Sequence, residues 1–217
     1  MDKEKLNQQI QHWERNFSSK SEMFGLEPSI AAIKALKKFK EENISHIIEL
    51  GAGFGRDTIY FAENSIHVEV LDYSSSAIKK INEKSEKLNL KEFIKTRFCD
   101  IRKKLPFDNG KFQGCFSHML YCMALSNSEL ENLNDEICRV LKTGGINIYT
   151  VRNTNDGDYK NGIHIGEDLY ENDGFIVHFF SKDKIKKLSN GFKNLDIESF
   201  EEGSFPRKLF IVYNKKI

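Results

Sequence analysis

Three glycines at alternate positions in residues 51–55 constrain this chain more than any other feature. They follow an apolar run with β character that reaches the acidic residue Glu49, and a helical pattern begins at Asp57. This order predicts a strand, a tight turn and a helix start, because glycine adopts backbone angles that other residues avoid and leaves bare main chain beside a small-molecule ligand. A dinucleotide-binding motif, G-x-G-x-x-G, would need glycine where this chain has Arg56. The turn therefore disfavours a nicotinamide-dependent oxidoreductase.

Length and net charge limit the classes of protein to which this chain can belong. The chain has 217 residues, which predicts one domain, residues 1–217, with a substantial core. Its 33 basic and 32 acidic side chains leave a net charge of +1, so bulk electrostatics does not favour a nucleic-acid partner. The polar start and the absence of an apolar run of membrane length predict a cytoplasmic protein without a secretory signal or a membrane span. The four cysteines lack C-x-x-C and zinc-ligand spacing, so we expect free thiols and no metal site.

Strand and helix patterns alternate after residue 45, which predicts an α/β fold whose parallel strands have helices on both faces of the sheet. The apolar runs predict strands at 46–50, 67–72, 92–98, 110–117 and 146–151. A helical stripe through Leu130, Leu133 and Ile137 precedes the last of these strands, and the helix is predicted to end at Gly144–Gly145.

The regions on either side of this core have weaker patterns. Residues 1–45 are predicted to form an N-terminal helical lid segment. Polar residues and glycines over 153–172 predict a long loop, and a helix is expected at 182–189. Two final strands, at 195–200 and 208–213, are close enough in sequence for an antiparallel hairpin.

Four segments of the chain stand in the order and spacing of the class I S-adenosylmethionine-dependent methyltransferases. These segments are Glu49–Asp57, Leu71–Ser74, Cys99–Ile101 and Val140–Gly145. The chain therefore resembles this family over residues 45–151. Two shorter segments, Phe24–Ser29 and Phe179–Lys182, resemble the tellurite-resistance and thiopurine-type branch, which acts on small acceptors.

The resemblance implies a Rossmann-like three-layer sandwich with a seven-stranded, mostly parallel sheet in the order 3-2-1-4-5-7-6 and an antiparallel last strand. It implies S-adenosyl-L-methionine as the cofactor, bound by a core over residues 46–151, with the loop, helix and hairpin in residues 152–217. The cofactor-binding residues that it implies are Glu49, Gly51, Ala52, Gly53, Gly55, Arg56, Asp72, Tyr73, Asp100, Ile101 and Ser117.

By the same resemblance, these residues would meet different parts of the cofactor. Glu49 falls where the family has an acidic residue beside the ammonium, and Asp72 closes the second strand, where a carboxylate accepts from both ribose hydroxyls. Asp100 is placed to accept from the adenine amino group. Tyr73 either packs on the adenine or fills the core, and its spacing leaves both open. Arg56 is a candidate for the cofactor carboxylate.

The end of the fourth strand faces the reactive sulfonium in the family that this chain resembles. This position makes His118 and Tyr121 the expected catalytic residues. A base matters if the acceptor must lose a proton, whereas an acceptor that is already a thiolate needs none. The aromatic residues Trp13 and Phe24 of the lid segment, together with Arg152 after the fifth strand, are expected to bind the substrate.

These observations predict an enzyme that moves a methyl group from S-adenosylmethionine to a small molecule by in-line displacement, as a monomer or homodimer. Two alternatives stay open: a protein or RNA methyltransferase, and a non-catalytic S-adenosylmethionine-binding module. The near-zero charge weighs against nucleic acid, as does the sequence Ser-His-Met-Leu at 117–120 in place of an Asn-Pro-Pro-Tyr motif. The motifs do not specify the acceptor, because its binding residues lie far from the glycine turn in sequence.

Overall fold

The computed structural model describes residues 3–19, 25–203 and 207–217. In these ranges it contains six helices: α1 Lys3–Ser19, α2 Ile30–Glu41, α3 Arg56–Glu63, α4 Ser75–Lys87, α5 Asn127–Val140 and α6 Lys182–Leu188. The same ranges contain ten strands: β1 His46–Leu50, β2 His67–Asp72, β3 Ile94–Phe98, β4 Phe112–Ser117, β5 Leu141–Arg152, β6 Ile163–Gly166, β7 Leu169–Asn172, β8 Phe175–His178, β9 Phe192–Glu202 and β10 Arg207–Lys216.

Seven of these strands form one sheet in the order β3-β2-β1-β4-β5-β10-β9. The strands from β3 to β5 are parallel, and β10 runs antiparallel to both of its neighbours. Since β9 is the sixth and β10 the seventh strand of this sheet in chain order, the predicted strand order and the Rossmann-like fold are confirmed. β1 is an inner strand, between β2 and β4, and is covered on both faces, which is why residues 47–50 are buried without alternation.

Helices cover both faces of the sheet and complete two cores. On one face, Phe61 of α3 packs edge-to-face on Phe116 of β4 with ring centroids 5.0 Å apart, and it lies 6.0 Å from Phe39 of α2. Helix α2 begins where the Ser29 hydroxyl accepts from the Ala32 N–H at 3.0 Å. On the other face, α5 turns its predicted apolar stripe to the core. The helices hold the carboxyl ends of β1, β2 and β4 at one edge of the sheet, where the glycine turn lies.

The prediction of a long loop over residues 153–172 is wrong for its second half. That half contains β6 and β7, which pair with β8 in a separate three-stranded antiparallel sheet. Each of the three strands has only 4 residues, which is too short for an alternating pattern to stand out from a polar loop. The β7–β8 turn uses Asp173 and Gly174, whose φ values of 50° and 83° are typical of a tight hairpin.

The junction between α5 and β5 also differs from the prediction. The helix ends at Val140 and the strand begins at Leu141, before the predicted helix stop at Gly144–Gly145. The pairing of β4 with β5 shifts register in this stretch. A Cβ on Gly145 would lie 2.8 Å from the Lys142 carbonyl oxygen, so only glycine fits there without movement of the chain. The glycines therefore allow the register of β5 to shift near the start of the strand.

The predicted N-terminal lid segment, residues 1–45, contains α1 and α2, and of these two α1 lies farther from the sheet core. Its apolar residues Leu6, Ile10 and Trp13 recur at helical spacing. Residues 20–24, which include the predicted substrate contact Phe24, lie outside the described residues. Among the helices of the described ranges, none is both long and apolar enough to span a membrane.

Candidate active site

The glycine turn joins β1 to α3 through backbone that favours glycine. Gly51, Gly53 and Gly55 have φ values of 68°, 54° and 73°. Space is limiting as well. A Cβ on Gly51 would lie 2.8 Å from Cδ1 of Leu120, and one on Gly55 would lie 2.7 Å from Cγ1 of Ile81. The turn therefore presents bare main chain at the carboxyl end of β1, in front of the N-terminus of α3.

Asp72 ends β2 and faces this turn. Its buried carboxylate accepts from the Gly53 N–H at 3.0 Å and from the Ser74 N–H at 2.8 Å. Burial raises the pKa of Asp72 to about 6, although the two backbone donors act to lower it. Each carboxylate oxygen can accept more than one hydrogen bond, so both oxygens remain able to accept from a vicinal diol. Asp72 and the turn can therefore hold a ribose.

Glu49 lies beside the turn and is only 3% exposed. The Thr58 hydroxyl donates to its Oε2 at 2.6 Å. Burial, together with the nearby carboxyl groups of Asp57 and Asp72, raises the pKa of Glu49 to about 8. No lysine or arginine of the described ranges forms an ion pair with this carboxyl group. A bound ammonium group would supply the positive charge that the site lacks.

A cleft runs between the sheet edge and α1. Tyr73 and Ile101 line it from the sheet side, and Ile10 and Trp13 line it from α1. The cavity volume is about 40 Å³. The residues expected at the adenine thus lie together, with Tyr73 in the cleft, beneath an aromatic and aliphatic roof.

Asp100 lines the same cleft and has a partner that the sequence did not predict. The guanidinium of Arg102 donates to both oxygens of the Asp100 carboxylate, with Nε 3.0 Å from Oδ1 and Nη2 2.8 Å from Oδ2. Nη1 of this guanidinium donates to Asn7 of α1 at 2.6 Å. Burial acts to raise the pKa of Asp100, but the contacts with Arg102 outweigh it and the pKa is lowered. Asp100 is therefore an ionised carboxylate whose arginine partner also holds α1.

Polar contacts fasten α1 on two sides of the cleft. Gln9 donates through Nε2 to the Gly174 carbonyl at 2.9 Å, and its Oε1 accepts from the Ile176 N–H at 3.3 Å. The Ser76 hydroxyl donates to Glu14 at 2.6 Å. Helix α1 therefore bridges the small β6–β8 sheet and the N-terminus of α4.

His118 directly follows β4 and has partners that are distant in sequence. Its Nδ1 lies 3.0 Å from Thr150 Oγ1, and its Nε2 lies 3.3 Å from Oε2 of Glu202. Arg56 donates through Nη2 to the other oxygen of Glu202 at 3.2 Å. The predicted cofactor contact Arg56 is thus already paired. Glu202 carries no sequence signal, because only the packing of the β9–β10 hairpin brings it to His118.

Tyr121, which the sequence predicted as a catalytic residue, lies in the core. The side chain is fully buried, and its ring stacks on Tyr149 with centroids 4.1 Å apart. Its hydroxyl accepts from Asn147 at 3.3 Å. The chain turns at Met119 through a φ of 62°, so the strand geometry of β4 does not continue to Tyr121.

Arg152, which the sequence predicted to bind the substrate, is engaged by other side chains of the protein. It ends β5, where it is 6% exposed and forms ion pairs with Asp156 and Asp158. Its guanidinium lies 5.3 Å from the ring of Phe179. Ser117, at the end of β4, is buried, and within the described ranges its Oγ has no hydrogen-bond partner. A ligand at this strand end would satisfy that hydroxyl.

A parallel sheet with an antiparallel hairpin at one edge, and a glycine turn between buried carboxyl groups at its carboxyl end, is the architecture of the class I methyltransferases. Residues 47–145 match the family described as a methyltransferase domain. The resemblance that the four sequence segments indicated is therefore confirmed. No curated protein matches the chain.

Solved structures share this fold at low sequence identity. N-methyltransferase NodS from Bradyrhizobium japonicum, in complex with S-adenosyl-L-homocysteine, has a TM-score of 0.71 and 13% identity over 95% of this chain and 97% of that chain. The 1,6-didemethyltoxoflavin-N1-methyltransferase from Burkholderia thailandensis, with 1,6-didemethyltoxoflavin and S-adenosylhomocysteine bound, has a TM-score of 0.68 and 16% identity over 86% and 78%. TehB from Haemophilus influenzae has a TM-score of 0.66 and 18% identity over 85% and 62%.

Proposed function

We propose that this protein is an enzyme that transfers a methyl group from S-adenosyl-L-methionine to a small-molecule acceptor. The observation that carries the proposal is the pair of buried carboxyl groups, Glu49 and Asp72, beside the glycine turn. Glu49 lacks a cation, and Asp72 keeps lone pairs for two hydroxyls. An ammonium group and a ribose are the partners that satisfy these two needs.

The cofactor would extend from this pair into the cleft under α1. Tyr73 and Ile101 would hold the adenine, and Asp100 would accept from its amino group through lone pairs that Arg102 leaves free. The cavity is about 40 Å³, so we expect α1 to move outward as the ring enters and then to close on it. Helix α1 would thus act as the lid, with Trp13 over the cleft.

When bound, S-adenosylmethionine supplies an electrophilic methyl group on a positively charged sulfur. The chain would contribute by placing the acceptor in line with that methyl group and by excluding water from it. The acceptor would lie beyond the end of β4, beside His118. The cover that α1 and the β7–β8 turn form over the cleft would exclude solvent.

Several observations support a small acceptor. Helix α1 covers the cleft, and a net charge of +1 gives RNA little attraction. Two of the structures with the same fold are N-methyltransferases by name, one of them crystallised with a small heterocycle. A cytoplasmic monomer or homodimer belongs to the same proposal. A protein or RNA methyltransferase and a non-catalytic binding module are the alternatives to be tested.

Calorimetric titration with S-adenosylhomocysteine tests the cofactor, and a methyl-transfer screen tests the acceptor. We expect saturable binding, followed by S-adenosylhomocysteine production with at least one small molecule from a diverse panel. Bulk RNA and a mixture of unfolded proteins serve as the competing acceptors. Lack of binding at millimolar ligand would contradict the whole proposal, whereas binding without turnover of any acceptor would favour the non-catalytic module.

Binding of S-adenosylhomocysteine is expected to release a proton near neutral pH. Because burial raises the pKa of Glu49 to about 8, this carboxyl group is protonated at pH 7 in the free protein and would ionise beside the ligand ammonium. Calorimetry at pH 7 in buffers of different ionisation enthalpy should show release of up to about one proton. Glu49→Gln should remove the buffer dependence, and substitution of the exposed Glu201 by Gln should keep it.

The same pKa has a consequence for the free protein. The folded pKa of Glu49 is about 8, above the ordinary value of 4.5, so the folded state holds a proton that the unfolded state releases. The contribution to stability is complete below the ordinary pKa and is lost as the pH rises through about 8. The free energy of unfolding of Glu49→Gln should therefore fall less steeply over this range than that of the wild type. Parallel profiles for the two proteins would contradict the assignment.

A further inference from the structure

Both ring nitrogens of His118 are engaged by the protein. Thr150 Oγ1 lies 3.0 Å from Nδ1, and the Met119 N–H donates to the same oxygen at 2.8 Å. Because Met119 supplies the donor to Oγ1, the hydroxyl proton of Thr150 can point at Nδ1. Nδ1 then accepts, which places the proton of a neutral imidazole on Nε2. This tautomer also suits the other side of the ring, since Nε2 faces a carboxylate.

That carboxylate belongs to Glu202 and is held from two directions. Its Oε1 accepts from Arg56 at 3.2 Å, and Arg56 itself lies 3.8 Å from Asp57. Its Oε2 lies 3.3 Å from Nε2 of His118. Oε2 is buried, and the contact with His118 falls short of ideal hydrogen-bond geometry. Glu202 is therefore a fixed carboxylate whose Oε2, besides facing His118, can accept from a second donor, next to the end of β4.

We propose that Glu202 Oε2 accepts a hydrogen bond from the methyl acceptor, and that His118 is a positioning residue for this oxygen. The inference rests on the proposed function, since it assigns a role inside the same acceptor site. The acceptor class that fits is a small molecule with an N–H or O–H at the atom to be methylated. A thiolate or an oxyanion has no proton to donate there and would bring negative charge against the carboxylate.

The charges around Glu202 are consistent with this role. Arg56 and Asp57 carry opposite charges on one side. Arg207 stands opposite Glu202 in the β9–β10 pairing, and its side chain is exposed to solvent. Burial acts to raise the pKa of Glu202, but His118 and Arg56 outweigh it and the pKa is lowered. The carboxylate is therefore ionised near neutral pH and able to accept.

The proposed reaction conserves atoms and charge. The lone pair of the acceptor nitrogen or oxygen forms the bond to the methyl carbon, the carbon–sulfur bond breaks, and its electron pair stays on sulfur. The positive charge moves from sulfur to the methylated atom, which makes its proton acidic. That proton passes to Glu202 Oε2 and then to solvent, so the carboxylate is restored.

Glu202→Gln and Glu201→Gln form a matched pair of variants, because the two residues are neighbours on β9 and Glu201 is exposed. The wild type is first assayed with benzylamine, benzimidazole, phenol, thiophenol and tellurite, and we expect turnover of N–H or O–H probes only. With the probe that turns over, Glu202→Gln should lower kcat by about 100-fold or more. Glu201→Gln should stay within about twofold of the wild type. Both variants should bind S-adenosylhomocysteine as the wild type does.

Nuclear magnetic resonance of the histidine ring nitrogens provides a readout that does not depend on activity. We expect the Nε2–H tautomer for His118 in the free wild type, with its signals assigned by their loss in His118→Gln.

Three results would each overturn the role of Glu202 and leave the proposed function standing. They are an Nδ1–H tautomer for His118, equal activity of the two glutamine variants, and wild-type turnover confined to thiophenol or tellurite. Joint loss of activity and S-adenosylhomocysteine binding in Glu202→Gln would likewise replace the role in acceptor binding with a structural one. Failure of the wild type to bind S-adenosylhomocysteine is distinguishable from all of these, because it would remove the proposed function itself.

Discussion

Asp72→Asn should weaken S-adenosylhomocysteine binding by about 100-fold or more, which corresponds to about 2.7 kcal/mol of binding free energy. The carboxylate has two tasks at once. It accepts from the backbone N–H groups of Gly53 and Ser74, and it would accept from both ribose hydroxyls. An asparagine has a single acceptor oxygen, and its amide NH₂ would face one of these backbone donors. The variant would therefore lose ribose contacts and disturb the turn that holds the rest of the cofactor.

Asp135→Asn is the control for this prediction, because Asp135 is exposed on α5. Calorimetric titration gives the affinities, and urea denaturation shows whether each variant is folded under the titration conditions. A folded Asp72→Asn protein with the same affinity as Asp135→Asn would show that Asp72 does not bind the ribose.

Gly55→Ala should lower the free energy of unfolding by about 3 kcal/mol, and Gly110→Ala by about 1 kcal/mol. The two glycines have similar backbone, with φ values of 73° and 64°, so a methyl group adds similar left-handed strain at both. Their surroundings differ. A Cβ on Gly55 would lie 2.7 Å from Cγ1 of Ile81, whereas a Cβ on Gly110 would have no atom within 4 Å. The overlap at Gly55 requires α3 and α4 to move apart, which accounts for the larger loss.

Urea denaturation of the two variants measures this difference directly. A double-mutant cycle with Ile81→Ala then identifies its cause. In the Ile81→Ala background, Gly55→Ala should cost no more than Gly110→Ala costs in the wild type, because the overlapping atom is gone. Equal losses for the two glycine variants in the wild-type background would contradict a steric role for Ile81.

The sequence predicted the central strands and helices well because their signals are local. The strand that ends at Leu50, the turn and the helix that follows need only apolar runs, glycine freedom and a helical stripe. The order of the strands was implied by the family resemblance, and the observed pairing confirms it. The end of α5 was predicted too far along the chain, because Gly144–Gly145 has the composition of a helix stop. In the structure the two glycines lie inside β5, where its pairing with β4 shifts register. Strands β6 to β8 were missed because each has only 4 residues, too few to show the alternation of apolar and polar residues that marks a strand.

By itself, the sequence determined the glycine turn and the carboxyl groups of Glu49 and Asp72, since each stands at a strand end whose position follows from local pattern. Only the tertiary structure decided which groups meet beyond these ends. Tyr121 turned into the core after the bend at Met119, and Arg152 was neutralised by two aspartates. Glu202 reached Arg56, although 146 residues separate the two in sequence. Such a contact depends on how the distant β9–β10 hairpin packs, and the spacing of residues near Arg56 does not predict this packing.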